Sequence, residues 1–125
     1  MLKIGLKNAA TRIVGEADTA VAHGSGSLPV FATPAMIAFM ENTAMESVQP
    51  FLAEGECTVG TRMDVKHMAA TPVGREVRCE SELVEIDRRR LVFAVRAYDA
   101  RGTIGEGTHE RFIVNNEKFM AKLQG

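Results

Sequence analysis

The chain has no surplus of either charge. Fifteen Lys and Arg residues stand against sixteen Asp and Glu, for a formal net charge of −1. The basic footprint of a nucleic-acid binder is therefore absent. The one dense basic run, Arg88-Arg89-Arg90, reads as a solvated hairpin turn. Cysteine is scarce as well. Cys57 and Cys79 stand alone, with no C-x-x-C partner, which argues against a zinc ribbon or a dithiol redox motif. With no secretory signal, both are expected to be reduced thiols. Met1–Leu6 is too short and too interrupted to serve as a signal peptide, and no apolar run approaches the roughly 20 residues of a spanning helix. A cytoplasmic protein without membrane contacts is expected. The sequence also lacks a G-x-S-x-G elbow and a P-loop. The three histidines, His23, His67 and His109, show no metal-ligand spacing, so no metal or other cofactor is called for.

What is present is ordinary globular composition, with 46% apolar and 25% charged residues in 125. That length fits a single domain, residues 1–125, burying about two-thirds of its unfolded surface.

Residues 11–22 read as a first strand interrupted at Gly15. Residues 23–29 form a loop, because Gly and Ser cluster there and Pro29 closes it. Residues 34–49 are the one long helix. Thr33 suits its N-cap and Pro34 its first turn. Ile37, Met40, Ala44 and Val48 recur at helical spacing with Met36 alongside, and Pro50 ends the helix or starts a further short turn. After Gly55 the period changes to two. Residues 57–66 put Cys57, Val59, Thr61, Met63 and Val65 on one face. Residues 76–86 do the same with Val77, Cys79, Ser81 and Leu83. Residues 91–98 and 103–114 complete four strands. The intervening turns 87–90 and 99–102 are short enough for antiparallel hairpins. Residues 116–123 fit a small terminal helix capped by Asn115 or Asn116. A strand, a long helix and an antiparallel run of strands make an α+β fold, one sheet face being covered by the helix. Such an open sheet leaves edges that pairing with a second subunit would hide.

Three polar residues could carry chemistry. Glu41 lies in or beside the apolar stripe of the helix, four residues from Ile37. A boundary carboxylate facing solvent is the plain reading; a part-buried one suits acid–base work. Thr33 at the helix start has a capping role worth about 1 kcal/mol. The same helix end also offers free N–H groups and a positive dipole end that would stabilise an oxyanion. Eight residues of helix set Thr33 and Glu41 roughly 12 Å apart, so they can flank one substrate but cannot bond directly. His67 stands where a strand runs out into a loop, and its titration range suits a general base. His23 and His109 are weaker candidates.

Four strings in one order carry a resemblance: Val30-Phe-Ala-Thr-Pro-Ala-Met-Ile-Ala-Phe-Met-Glu41, Thr58-Val-Gly-Thr-Arg-Met-Asp-Val-Lys-His67, Ala69-Ala-Thr-Pro-Val-Gly74 and Gly105-Glu-Gly-Thr-His-Glu-Arg111. From about Ile13 to Lys122 the chain resembles the fluoroacetyl-CoA thioesterase branch of the hotdog superfamily. The resemblance implies a long central helix, about 34–49, wrapped by an antiparallel sheet of about five strands. It also implies a homodimer joined through sheet edges, an acyl-CoA substrate and no metal. The family's catalytic threonine, glutamate and histidine fall on Thr33, Glu41 and His67. Its site glycine and arginine fall on Gly60 and Arg111, with Arg111 a candidate for the phosphates of CoA. Phe31 and Ala32 fall beside the acyl pocket. At one place the chain departs from the pattern. The fluoroacetyl-specific enzyme carries a longer, phenylalanine-bearing lid before the helix, whereas residues 23–31 here are short, so the resemblance implies thioester hydrolysis without implying fluoroacetyl selectivity. Two other activities are open to such a chain: hydration or dehydration of enoyl or hydroxyacyl thioesters, for which no His/Asp-type pair is found, and non-catalytic acyl-CoA binding. An uncompensated Glu beside an apolar stripe has little use in the latter.

Overall fold

In the computed structural model, residues 1–124 are described. The elements run β1 (Lys7–Ile13), α1 (Ala20–His23), α2 (Thr33–Val48), β2 (Glu56–His67), β3 (Glu76–Asp87), β4 (Arg90–Asp99), β5 (Gly102–Asn115) and α3 (Asn116–Leu123). The strands form one antiparallel sheet in the order β1-β3-β4-β5-β2. This α+β arrangement, a long helix held against a five-stranded sheet, is the hotdog architecture expected from the sequence.

Helix α2 supplies the core. Met36, Met40, Ala44 and Val48 are fully covered, joined by Ala35, Phe39, Thr43 and Ser47 on the adjoining face. Ile37, expected in the stripe, lies at its half-buried margin. Against these residues pack Val77, Cys79 and Leu83 of β3 and Leu91, Phe93, Val95 and Ala97 of β4. Each large apolar side chain buried this way contributes about 1.5–3 kcal/mol. Among the described residues, no helix is long and apolar enough to cross a membrane.

Several local expectations need correction. The first strand is Lys7–Ile13, not 11–22. Beyond it, Asp18 accepts from the Gly15 N–H at 2.9 Å and turns the chain. Thr19 then accepts from the Ala22 N–H and starts the short α1. β1 is an edge strand held mainly by its ladder to β3, so it buries little and carries no apolar alternation to read. The strands are also not a simple meander. The β3–β4 and β4–β5 hairpins form at the expected turns, but β2 pairs with β5, and residues 68–75 carry the chain across to β3.

A bulge in β2 decides which of its side chains face the helix. Gly60 pairs with Arg111 and Arg62 with Glu110, leaving Thr61 as an extra residue. An extra residue flips the side-chain parity of a strand. Before the bulge, Thr58 and Gly60 face α2. After it, Met63, Val65 and His67 do. The single face expected from Cys57 to Val65 is therefore broken in the middle.

Candidate active site

Thr33 is the first residue of α2, not its cap. Ala32 occupies the cap position in extended conformation and has no side chain with which to cap. The Thr33 hydroxyl is thereby free, and it meets His67 Nδ1 at 2.8 Å. β2 presents His67 at its last position, and Phe31 lies edge-on to the imidazole, 6.4 Å between centroids. Burial pushes the His67 pKa below its ordinary value of 6.5, while the Ala69 backbone pulls more weakly the other way. The other ring nitrogen, Nε2, is covered and has no hydrogen-bond partner among the described residues. Such an orphan in a folded protein calls for an explanation.

Around this pair lies a pocket of about 280 Å³ lined by Phe31, Ala32, Thr33, His67, Met68 and Ala69, among others. The start of α2 faces it. Pro34 has no N–H to offer, and the first amide donor used within the helix is Met36, which bonds Ala32 O at 2.9 Å. The Thr33 and Ala35 N–H groups are thus left over at the positive end of the helix, where an anion is favoured.

Glu41 belongs to a second cluster. Its Oε2 lies 3.6 Å from Nη1 of Arg111. Arg111 is only 7% exposed. Its Nε–H donates to Thr58 Oγ1 at 2.7 Å and its Nη2–H to the Thr58 carbonyl at 2.8 Å. Its Nη1 lies 3.1 Å from His109 Nε2. The guanidinium expected at the phosphates of CoA is therefore turned inward, with most of its donors already used. Gly60 forms the wall of this cluster. A Cβ placed on it would stand 2.5 Å from Glu41 Oε2 and 3.4 Å from both Arg111 Nη1 and His109 Cε1.

Within one chain the two clusters are apart. Thr33 and His67 touch, whereas Glu41, Gly60 and Arg111 group near the opposite end of β2. Seven residue steps lead from Gly60 to His67, roughly 20 Å allowing for the bulge. Sequence reading ranks His109 low and passes over Thr58. Both become legible only once the bulge at Thr61 is known, because it turns Thr58 and Gly60 towards the face that carries His109 and Arg111. Arg89 and Arg90, read as solvated, are paired within the fold: Arg89 with Glu56 at 3.1 Å, and Arg90 with Glu85 at 2.7 Å and Glu110 at 2.8 Å. A groove of about 880 Å³ among Arg78, Glu80, Arg96, Tyr98 and Glu106 lies on the sheet face away from α2 and holds none of these residues.

Comparison with known proteins bears on this geometry. Residues 14–117 match the family described as fluoroacetyl-CoA-specific thioesterase, FlK. A fluoroacetyl-CoA thioesterase of Streptantibioticus cattleyicolor is 43% identical over 95 residues, which is 76% of this chain and 68% of that protein. Among solved structures, a Thr-to-Ala variant of the fluoroacetyl-CoA thioesterase FlK in complex with fluoroacetate superposes with a TM-score of 0.92 at 33% identity, covering 98% of this chain and 97% of that one. A thioesterase-superfamily protein of Thermus thermophilus superposes with a TM-score of 0.91 at 27% identity, covering 99% and 92%. With a matched family covering most of its length and the same architecture throughout, the chain belongs to the fluoroacetyl-CoA-specific thioesterase family.

Proposed function

We propose that this acyl-CoA thioesterase acts on short acyl chains, through Thr33, Glu41 and His67. Water and an acyl-CoA yield the free acid and CoA. The observation that carries the residue assignment is the 2.8 Å contact of Thr33 Oγ1 with His67 Nδ1, with Nε2 of the same ring left unpartnered. In the working tautomer His67 donates Nδ1–H to Thr33, so Nε2 keeps a lone pair for taking a proton from water. The Thr33 hydroxyl hydrogen and the free N–H groups of α2 then point to the thioester oxygen, where negative charge develops. The small pocket beside Phe31 and Ala32 favours short acyl groups. The two free thiols and a CoA substrate suit the cytoplasm.

Glu41 enters from a second copy in this reading. β2 is a 12-residue edge strand whose outer main-chain groups are open to pairing. A homodimer formed antiparallel through β2, about a two-fold axis normal to the sheet, keeps both helices on one face. Centred on Asp64, with Thr61 left out of the register as it is against β5, it sets Gly60 of one copy opposite His67 of the other. Glu41 then reaches the unpartnered His67 ring across the interface. There it either attacks the carbonyl to form an acyl-enzyme or orients the attacking water. A burst of CoA release ahead of steady state marks the acyl-enzyme route.

The test is complementation. Glu41→Gln and His67→Ala are each expected to lose most thiol release from acetyl-CoA and butyryl-CoA. Mixed and re-equilibrated, the two inactive proteins should recover activity, because each mixed dimer contains one intact site. Full turnover in either single variant removes that residue from the mechanism. Inactive singles that never complement place all three groups in one chain instead.

A further inference from the structure

His109 is the most buried ionisable side chain among the histidines, at 1% exposed, and the proposed hydrolysis does not use it. Its surroundings determine its protonation pattern. Nδ1 lies 2.8 Å from the Arg62 carbonyl, which can only accept. Nδ1 therefore carries a hydrogen. Nε2 faces Arg111 Nη1 at 3.1 Å, and a guanidinium can only donate. Nε2 therefore carries a lone pair. The Phe93 ring lies beside the imidazole, 6.2 Å between centroids at 30°.

We propose that His109 is a positioning residue for the thioesterase reaction: as the Nδ1–H tautomer it tethers Arg111 and holds the guanidinium back from Glu41. This rests on the reading that Glu41 is the reacting carboxylate. The distances show what the tether does. Three contacts of Arg111, two to Thr58 and one to His109, are at 2.7–3.1 Å, whereas Glu41 Oε2 is 3.6 Å away. The protein grips its arginine more closely than the carboxylate does. Glu41 has a fixed cation beside it, yet its oxygens are not closed into a bidentate pair of the kind guanidinium and carboxylate readily form. A carboxylate capped on both oxygens would be a poorer nucleophile and a poorer water-orienting group. Without the tether, only the two Thr58 contacts hold the guanidinium, and Nη1 can turn towards Glu41.

The charged groups around His109 agree with this role. Arg111 from β5 disfavours a protonated ring, and burial does so more strongly. Glu41 from α2, and Glu110 on the other face of β5, act the other way; Glu110 is itself paired with Arg90. The Arg62 side chain points to Glu110 and Asp64 at 3.9 and 3.8 Å, not to the ring.

His109→Leu, His109→Gln and His109→Asn test the idea, with acetyl-CoA hydrolysis, thermal unfolding and a ¹⁵N–¹H spectrum of the wild-type imidazole read in parallel. Leu removes both contacts. Gln can place its amide oxygen where Nε2 was and so keep an acceptor for Arg111. Asn reaches only the Arg62 carbonyl. In His109→Leu, kcat is expected to fall about 10- to 100-fold, the scale of misplacing a reacting group by up to 1 Å, with KM within twofold. Gln should recover most of that loss and Asn should not. The wild-type ring should carry its proton on Nδ1 at neutral pH. The proposal is overturned by an Nε2–H or doubly protonated ring, by His109→Leu retaining full kcat, or by Gln and Asn behaving alike. If the Leu variant does not fold, the Gln–Asn contrast and the wild-type spectrum decide on their own. Glu41→Gln separates this idea from the one beneath it. If Glu41→Gln is inactive while His109→Leu is active, the positioning role alone falls; if Glu41→Gln is fully active, both fall.

Discussion

Gly60→Ala adds one methyl group at the point where β2 comes nearest Glu41. The new Cβ would lie 2.5 Å from Glu41 Oε2, whereas ordinary contact begins near 3.4 Å. The carboxylate must then retreat by about 0.9 Å, the difference between those two values. Two features say the retreat is easy for the fold. Glu41 is the far end of a flexible side chain, and 41% of that side chain is exposed. The contacts with Arg111 Nη1 and His109 Cε1 at 3.4 Å are tolerable. Replacing Gly by Ala in a strand also recovers ~0.5–1 kcal/mol of backbone entropy, so stability should be unchanged or slightly higher. Catalysis is not so forgiving. Moving a reacting group by 1 Å costs on the order of 100-fold, equivalent to about 2.7 kcal/mol of transition-state stabilisation. Steady-state thiol release from acetyl-CoA, alongside a thermal melt, should therefore give kcat down about 100-fold at unchanged Tm. A Gly60→Ala protein with kcat within threefold of wild type and an unchanged melt would refute the reasoning, because the added methyl cannot coexist with Glu41 in its present place.

Three further expectations can be checked with the same assays. Thr33→Val removes the hydroxyl that meets His67 at 2.8 Å and should lower kcat about 100-fold, the usual loss for an oxyanion donor, while Thr33→Ser stays within a few-fold; equal loss in both would assign the effect to the methyl group. Burial lowers the pKa of both His67 and His109 from 6.5. The acid limb of kcat/KM should thus fall below pH 6.5, and because the unfolded chain takes up protons first, stability should be full above that pH and decline as pH drops beneath it; a limb at or above 6.5 contradicts a buried neutral base. Arg88 holds a positive φ of 59° in the β3–β4 turn, so Arg88→Asn, a residue that tolerates that conformation, should raise stability by about 0.5–1 kcal/mol without touching kcat; a lower melting temperature would count against strain at that turn.

The fold is legible in the sequence wherever burial leaves a pattern. β3 and β4 lie inside the sheet, so Val77, Cys79, Ser81 and Leu83 keep an unbroken period of two, and the helix from Thr33 to Val48 shows its stripe through Met36, Met40, Ala44 and Val48. β1 lies at an edge, buries little and is held by backbone ladder bonds that any residue can make, so its sequence does not mark its bounds. The order of the strands is not readable either, because turn lengths predict which neighbours form hairpins but say nothing of the strand that closes the sheet, and here β2 reaches β5.

The site divides along the same line. Thr33, Glu41 and His67 can be named from the strings that carry them, but each alone has a plain structural reading. What sets them apart is spatial: a helix that uses Ala32 as its cap and so releases the Thr33 hydroxyl, and a bulge at Thr61 that turns both Gly60 and His67 towards α2. Without the bulge, strict alternation over the same residues would put Gly60 and His67, seven steps apart, on opposite faces, and no pairing of β2 with a second copy could bring Glu41 to His67. The bulge thus has to be part of the catalytic design if the site is shared between two chains. Deleting Thr61, which does no more than donate its exposed hydroxyl to the Glu110 carbonyl, leaves six steps between Gly60 and His67, so a regular strand still turns both towards α2 and thiol release should persist; inserting one alanine between Met63 and Asp64 reverses the facing of His67 against Gly60 and should abolish it. A fully active insertion variant with an unchanged melt would rule out the shared site, since Gly60 and His67 would then have no need of a common face.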